Sequence, residues 1–508
     1  MHFKLFKPIK TLKFKRQLNL FLIIFLCFIA GCNDKNDSSE SGDSVDNNEI
    51  DEALIPAEGK LITCRNWSEF ITAAEKASPG DVIQLKNGTY SGNITFSQSG
   101  TEEKPITIIP ESRGGVMING NSEWTIDAKY ITIDGFYFSG GTSTHPVNFS
   151  SASSYCRFIN SAIVGWNLGG EDTRLISIRG SHNEVGHCVL RKKNNLGMML
   201  EVVRESSARN DHHIHHVYFS YFKDPGNGNG FETVRIGTSG QSLSSSYTTL
   251  ENCVFERCDG ESEIISSKSG HNIFRNNTFL NSDGALTLRH GHDGLIEGNF
   301  FINTLNRTSS RCNGIRVIGE RQTVRNNYFL NLPIDALAIQ VQYGNQVPHK
   351  LTKYDQVKEA LIENNTIYNC DKGITLGSSK RPEDTPPRIL PPNGIFRNNL
   401  IVSNKGTNLS FEIEEEVLAG KLFTYANNII AGKDKTLPKT ENLPEGVKFV
   451  NELNMTQHTN GIYYPTDNQI TAGVQNKSVK PLYPLDIVPA WVKVKIEEND
   501  QDFVDIPW

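Results

Sequence analysis

The chain lacks the marks of several protein classes. Its nine cysteines include no CxxC pair, and once Cys27 and Cys32 are set aside with the leader an odd number remains, Cys64, Cys156, Cys188, Cys253, Cys258, Cys312 and Cys370. That pattern argues against both a disulfide framework and a cysteine-bound zinc. Cys253 and Cys370 sit in apolar, β-rich contexts and read as packed small hydrophobes. There is no leucine-dominated repeat, which excludes a leucine-rich solenoid, and no period of blade length, which excludes a propeller. Positive charge is not in excess: 57 acidic against 51 basic residues give a formal net charge of −6. Such a balance does not advertise nucleic acid or any other polyanion as a partner, so attraction for an anionic ligand has to be local. What is present is a globular composition, 37% hydrophobic and 21% charged, with 42 glycines and 21 prolines spread along the chain.

The N-terminus reads as a targeting segment. Lys4, Lys7, Lys10, Lys13, Lys15 and Arg16 form a basic region, Leu20 to Ala30 an apolar core too short to span a bilayer comfortably, and Phe28-Ile29-Ala30-Gly31-Cys32 ends it. The ending resembles a bacterial lipobox, which implies lipidation of Cys32 and an outer-membrane lipoprotein of a Gram-negative cell, facing the surface or the periplasm. Residues 33–55 follow as an acidic tether with little to bury; Asn33 to Glu52 holds eight acids and one lysine. Removing the six leader cations takes the net charge from −6 to −12, of which seven (eight acids less one lysine) lie in the tether.

The rest of the chain is expected to be all-β. Ser68 is expected to cap a short amphipathic helix through Ala77, with Phe70, Ile71 and Ala74 on one side, and Pro79-Gly80-Asp81 to stop it. Short β-rich runs follow at 82–85, 94–96, 106–109, 116–118 and 130–133. Then a degenerate repeat recurs: Glu251-Asn252-Cys253, Arg275-Asn276-Asn277, Glu297-Gly298-Asn299, Arg325-Asn326-Asn327, Glu363-Asn364-Asn365, Arg397-Asn398-Asn399 and Ala426-Asn427-Asn428. Third residues are spaced by 24, 22, 28, 38, 34 and 29. The shorter intervals suit bare coils of three short strands and the longer ones coils with loop insertions; the asparagines suit a left-handed turn whose amides stack between coils. The expected fold is a right-handed parallel β-helix over 56–434, closed at its N-terminal end by the helix, with a C-terminal tail over 435–508 that is irregular and packs aromatics (Tyr463, Tyr464, Tyr483, Trp491, Trp508) back on the body.

One stretch concentrates the chemistry. Glu261 and Glu263 are two apart and would share a face of a strand; Lys268 follows, and Arg289 lies 21 residues beyond it, one coil in a β-helix. Two like charges side by side need something positive between them, either Lys268, Arg289 or a bound cation. Asn229, 32 residues before Glu261, could add an amide oxygen, and an all-oxygen set of this kind suits calcium. This arrangement fits β-elimination in a polyuronate. A calcium ion on the uronate carboxylate stabilises charge as the C5 proton leaves, the lysine takes that proton, and the arginine neutralises charge or protonates the leaving oxygen. Glu261 and Glu263 as a hydrolytic acid and base remain an alternative, though neighbours on one strand face do not flank a glycosidic bond. His290, Arg316 (27 beyond Arg289), His213, Lys380 and Arg381 are secondary candidates for contacting substrate. The cluster Asp211-His212-His213-Ile214-His215-His216 invites a metal reading, but in a strand its histidines split into a core-facing and a solvent-facing pair.

The motifs Glu-x-Glu-Ile-Ile-Ser-x-Lys-Ser at 261–269, Asn-Thr-Phe at 277–279 and Leu-x-Leu-Arg-His-Gly at 286–291 resemble polysaccharide lyase family six, the alginate lyase and chondroitinase B family. Asn-Gly-Thr-Tyr at 87–90, Val-Arg-Ile-Gly at 234–237 and Gly-Ile-Arg-Val-Ile-Gly-Glu at 314–320 extend the resemblance over most of the mature chain. It implies a Ca2+-assisted lyase, with Lys268 as base, Arg289 as acid and Glu261, Glu263 and Asn229 as calcium ligands. Ser267 stands where the family often has Asn or Thr. The implied substrate is an anionic polysaccharide, alginate first. Open alternatives are a lyase for a sulfated, iduronate-containing glycosaminoglycan such as dermatan sulfate, a calcium-dependent pectate lyase, and a non-catalytic polysaccharide-binding lipoprotein, which would be expected to lack the Lys268 and Arg289 pair.

Overall fold

The computed structural model describes residues 59–504 apart from 227–228, 306–313, 334–335, 345–350, 371, 379–388, 404–409 and 433–442. The leader, Cys32, the tether, Cys312, Lys380, Arg381 and Trp508 lie outside the described residues. No helix among the described residues is long and apolar enough to cross a membrane.

Short strands alternating with turns wind into coils that stack as three parallel sheets of 14, 12 and 14 strands among the described residues. The first sheet runs from Leu61–Cys64 to Phe423–Ala426, the second from Ile94–Phe96 to Ser410–Ile413, and the third from Gly88–Tyr90 to Val447–Val450. A typical coil takes Thr249–Glu251 in the first sheet, Val254–Cys258 in the third and Glu263–Lys268 in the second, then re-enters the first at Ile273–Arg275. Each strand therefore pairs with its counterpart one coil away, a crossover to a parallel neighbour that is almost always right-handed. This is the expected right-handed parallel β-helix.

Side chains at alternate positions fill its interior, where Phe219, Phe255, Phe279, Phe301 and Phe329 stack with ring centres 4.7, 4.8, 4.5 and 4.8 Å apart. The repeated asparagines form two columns at the corner between the first and third sheets. Asn252, Asn276, Asn326, Asn364, Asn398 and Asn427 take positive φ, which asparagine tolerates better than most side chains. The next residues, Asn277, Asn299, Asn327, Asn365, Asn399 and Asn428, are buried and linked Nδ2–H to Oδ1 at 2.9–3.1 Å from coil to coil. Towards the N-terminus the buried column continues as Cys253, Val217 and Cys188, so the amide ladder ends there. The six described cysteines are buried, as packed hydrophobes should be.

The capping helix spans Trp67–Lys76 and presses Phe70 onto Trp124 and Phe96, covering the first coil. Its cap is Asn66, not Ser68: the Asn66 side chain accepts from Glu69 N–H at 3.0 Å, and Glu69 reaches back to Arg65 N–H at 2.8 Å. The tail adds the strand Val447–Val450, a hairpin of Met455–Gln457 with Tyr463–Pro465, and helices Pro484–Ile487 and Ala490–Glu497. Ile487, Val488, Trp491, Val492 and Phe503 pack on Tyr137, Ala162, Val164, Val189, Tyr218 and Val254, outward residues of the third sheet. The tail thus covers the third sheet and leaves the second to the site.

Candidate active site

The second sheet carries a ladder in which Glu201, Arg235, Ser266, Thr287, Arg316 and Gln340 succeed one another in register. Their chain neighbours, among them Ile236, Ile265, Leu286, Leu288, Ile315 and Val317, are buried and hold the strands from inside. The strand Glu263–Lys268 departs from regular pairing at both ends, between Glu263 and Ile265 and between Ser267 and Lys268. Such bulges re-aim side chains. Here they turn Glu263 and Lys268.

Three carboxylates meet at this strand. Oxygens of Glu232, Glu261 and Glu263 all lie within 4.8 Å of one another. Glu232 and Glu261 are buried, and the Glu263 side chain is 12% exposed. Lys268 Nζ donates to Glu232 Oε1 at 3.1 Å, Arg316 Nη1 to Glu263 Oε1 at 2.9 Å, Ser266 Oγ to Glu263 Oε2 at 2.6 Å and Phe231 N–H to Glu261 Oε2 at 3.1 Å. Three acids thus share two cations. Burial, followed by the charge of Glu232, pushes the Glu261 carboxyl up to about 7, and Glu232 Oε2 is buried without a donor. An unsatisfied carboxylate oxygen and a carboxyl that resists ionisation both mark a deficit of positive charge. Oxygen donors alone suit a hard cation such as Ca2+, which would be held by Glu232, Glu261 and Glu263.

Beside this cluster lie Lys268, His290 and Arg289. Lys268 is in register with His290, and Arg289 is the extra residue at the bulge, so the 21-residue interval does not pair Arg289 with Lys268 as a plain coil would. The Arg289 guanidinium lies 4.1 Å from the Tyr354 ring centre and Nη2 donates to Thr352 C=O at 3.3 Å, while Nη1 has no partner. His290 is buried, bonded to the backbone of Lys353, and driven down to about 3 by burial and by the charges of Arg289 and Lys268. It is a neutral imidazole between two cations.

A family model described as chondroitinase B matches residues 64–476, the span of the coils and the start of the tail. The chain belongs to the chondroitinase B family, polysaccharide lyase family six. Among solved structures, the family-six alginate lyase AlyGC is 30% identical with a TM-score of 0.75 over 85% of this chain, and this chain spans only 59% of that one. A mannuronic acid specific family-six lyase from human gut microbiota is 29% identical, TM-score 0.68, covering 78% of this chain and 92% of its own. The family-six lyase Pedsa3628 from Pseudopedobacter saltans is 26% identical, TM-score 0.65, covering 85% and 99%. No curated protein matches.

Within this family fold the other sequence-derived candidates fall in different places. Arg316 is buried and bound to Glu263 and Gln342; it follows Thr287 in register, not Arg289, and so holds an acid instead of extending an exposed basic stripe. His213 is on the first sheet, its Nε2 2.9 Å from Glu251, away from this ladder. Asn229 is exposed in the loop three residues before Glu232. Glu261 precedes the strand, so it meets Glu263 through a bend and not by strand alternation. Sequence reasoning missed Glu232 and Tyr354. Glu232 stands 29 residues before Glu261 beside Val-Arg-Ile-Gly, the only local hint; Tyr354 arrives on a loop insertion without a motif.

Proposed function

We propose that this chain is a calcium-dependent alginate lyase that cleaves polyuronate by β-elimination. The carrying observation is the buried, charge-deficient cluster Glu232, Glu261 and Glu263 with Lys268 and Arg289 at its edge. Calcium bound there would neutralise the uronate carboxylate and stabilise the charge that develops as C5 loses its proton. Lys268 Nζ is the base. It is tied to Glu232 at 3.1 Å as an ammonium, so it serves as base only after releasing that proton to solvent and when the carboxylate has another partner. The C5–H pair becomes the C4=C5 double bond as the C4–O bond breaks, and Arg289, with Nη1 free, donates to the departing glycosidic oxygen, which leaves as a hydroxyl while Arg289 regains its proton from solvent. Tyr354 holds the guanidinium plane, and neutral His290 spaces Lys268 from Arg289 without adding charge. The hydrolytic alternative is disfavoured by geometry, since Glu261 and Glu263 converge on one point instead of flanking a bond.

Alginate is favoured over a sulfated glycosaminoglycan because AlyGC is an alginate lyase and the gut lyase is specific for mannuronic acid. The leader and acidic tether support delivery to the outer membrane through lipidated Cys32, which radiolabelled lipid incorporation lost in Cys32→Ala would verify. Activity is tested by incubating the protein with alginate, dermatan sulfate and polygalacturonate, with calcium or chelator, and following ultraviolet absorbance of the unsaturated product. Absorbance growing on alginate only with calcium is expected. Silence on all three substrates would refute the lyase reading, and growth on dermatan sulfate alone would move the substrate.

A further inference from the structure

The histidine-rich stretch at 212–216 takes no part in this chemistry, and the fold does not divide it as strand alternation alone would. Ile214 points inward, His213 and His215 outward, and His212 and His216 fall on the turns at either end. His216 occupies the positive-φ corner column that asparagine fills in later coils, and so does His187 one coil earlier. The result is a meeting of His187, His215 and His216, with one ring nitrogen of each inside a 4.8 Å group. His187 and His216 stack at 4.6 Å between ring centres, and His215 Nδ1 lies 3.0 Å from His216 Nδ1.

The outer contacts of these rings resemble those of metal-bound histidines, whose far nitrogen is characteristically held by a carboxylate or a backbone carbonyl. Glu184 Oε1 is 3.1 Å from His215 Nε2, and two bonds from Arg157, at 2.9 and 3.0 Å, fix that carboxylate. The Glu184 carboxylate, paired with Arg157, accepts the Nε2–H, which leaves the His215 Nδ1 lone pair facing the cluster. The His187 ring is hydrogen-bonded by the backbone of Ile487, from the tail helix. Nitrogens about 3.3 Å apart surround a tetrahedral zinc ion at ordinary Zn–N distances, so the set closes when one of the two stacked rings turns to aim its in-plane lone pair at the point the others share.

We propose that His187, His215 and His216 form a second metal site, for a borderline transition-metal ion such as Zn2+, distinct from the carboxylate cluster. It lies at the corner joining the first and third sheets, the corner that the second sheet does not share. Bound metal would tie two successive coils together, and through His187 and Ile487 would brace the tail against the coils.

The test uses the full chain, stripped with chelator and then saturated with Ca2+ so that the carboxylates are occupied, and titrated calorimetrically with Zn2+. One further Zn2+ per chain is expected, with a rise in melting temperature. His187→Asn and His216→Asn place in each turn the residue that other coils use there, so folding is retained; each should weaken Zn2+ by at least about tenfold, and Glu184→Gln by about 10–100-fold. Cu2+ in the same site should show nitrogen hyperfine coupling in its electron paramagnetic resonance spectrum. No Zn2+ uptake by the calcium-saturated chain, affinity in both asparagine variants unchanged from that of the unsubstituted chain, or Cu2+ without nitrogen coupling would each overturn the proposal.

Discussion

Truncating Lys268 removes two things at once, the base and the counter-ion of Glu232. Lys268→Ala should therefore lower kcat by about 10²–10⁴-fold while tightening calcium, because the ammonium no longer competes for the Glu232 carboxylate. Steady-state kinetics beside calcium titration would show the two effects moving in opposite directions. Weaker calcium binding would mean that the lysine is not the competitor. His212 offers a separate reading of pH. Its Nδ1 accepts from Asn183 N–H at 3.1 Å inside the coil, and burial drives its pKa down to about 3 from the ordinary 6.5. The unfolded chain takes up this proton first, so stability is full above about pH 6.5 and falls as pH drops towards 3, by a few kcal/mol. Denaturant unfolding across that window should show the decline, and His212→Asn should make it shallower, leaving the part that His290 contributes. At this scale the sequence yielded the acids and bases of the site but not their partners. Glu261, Glu263, Lys268 and Arg289 stand in recognisable motifs, whereas Glu232 and Tyr354 reach the site by coil stacking and a loop, which leave no local pattern.

Between residues and molecule, the corner columns divide the work of the repeat. Asn327 is buried; it accepts at Oδ1 from Asn299 and donates through Nδ2 to Ile296 C=O and Asn365 Oδ1, each at 3.0 Å. Its neighbour Asn326 matters for its φ of 55°. Asn327→Ala is expected to cost about 2–3 kcal/mol because it strands buried backbone and amide groups. Asn326→Ala should cost about 1 kcal/mol through the left-handed backbone, and Asn326→Gly should cost less. Urea unfolding of the three variants checks the order. The repeat was legible because both columns use one residue type for two reasons. Ser68 and Asn66 are both good caps, and it is the return of Glu69 onto Arg65, with Asn66 accepting from Glu69 N–H, that sets the cap two residues before Ser68.

Across the whole molecule, the tail and the site occupy different sheets, which allows stability to be changed without chemistry. Trp491 is buried on the third sheet and its indole N–H donates to Asn160 C=O at 2.8 Å. Trp491→Ala should destabilise by about 3–5 kcal/mol and leave the KM for alginate unchanged; a changed KM would mean that the tail reaches the cleft. By itself the sequence determined the solenoid, because alternating strands, left-handed turn residues and buried amides are local requirements repeated in every coil. It also determined the residue types of the site. Tertiary structure alone decided which of them touch. Neighbours in a solenoid are set by register between coils of unequal length, from 22 residues at Asn277 to Asn299 to 38 at Asn327 to Asn365, and by bulges that shift it locally. For that reason Lys268 stands opposite His290 with Arg289 on the bulge, Glu232 completes the acids, and His187 meets the histidines of the following coil.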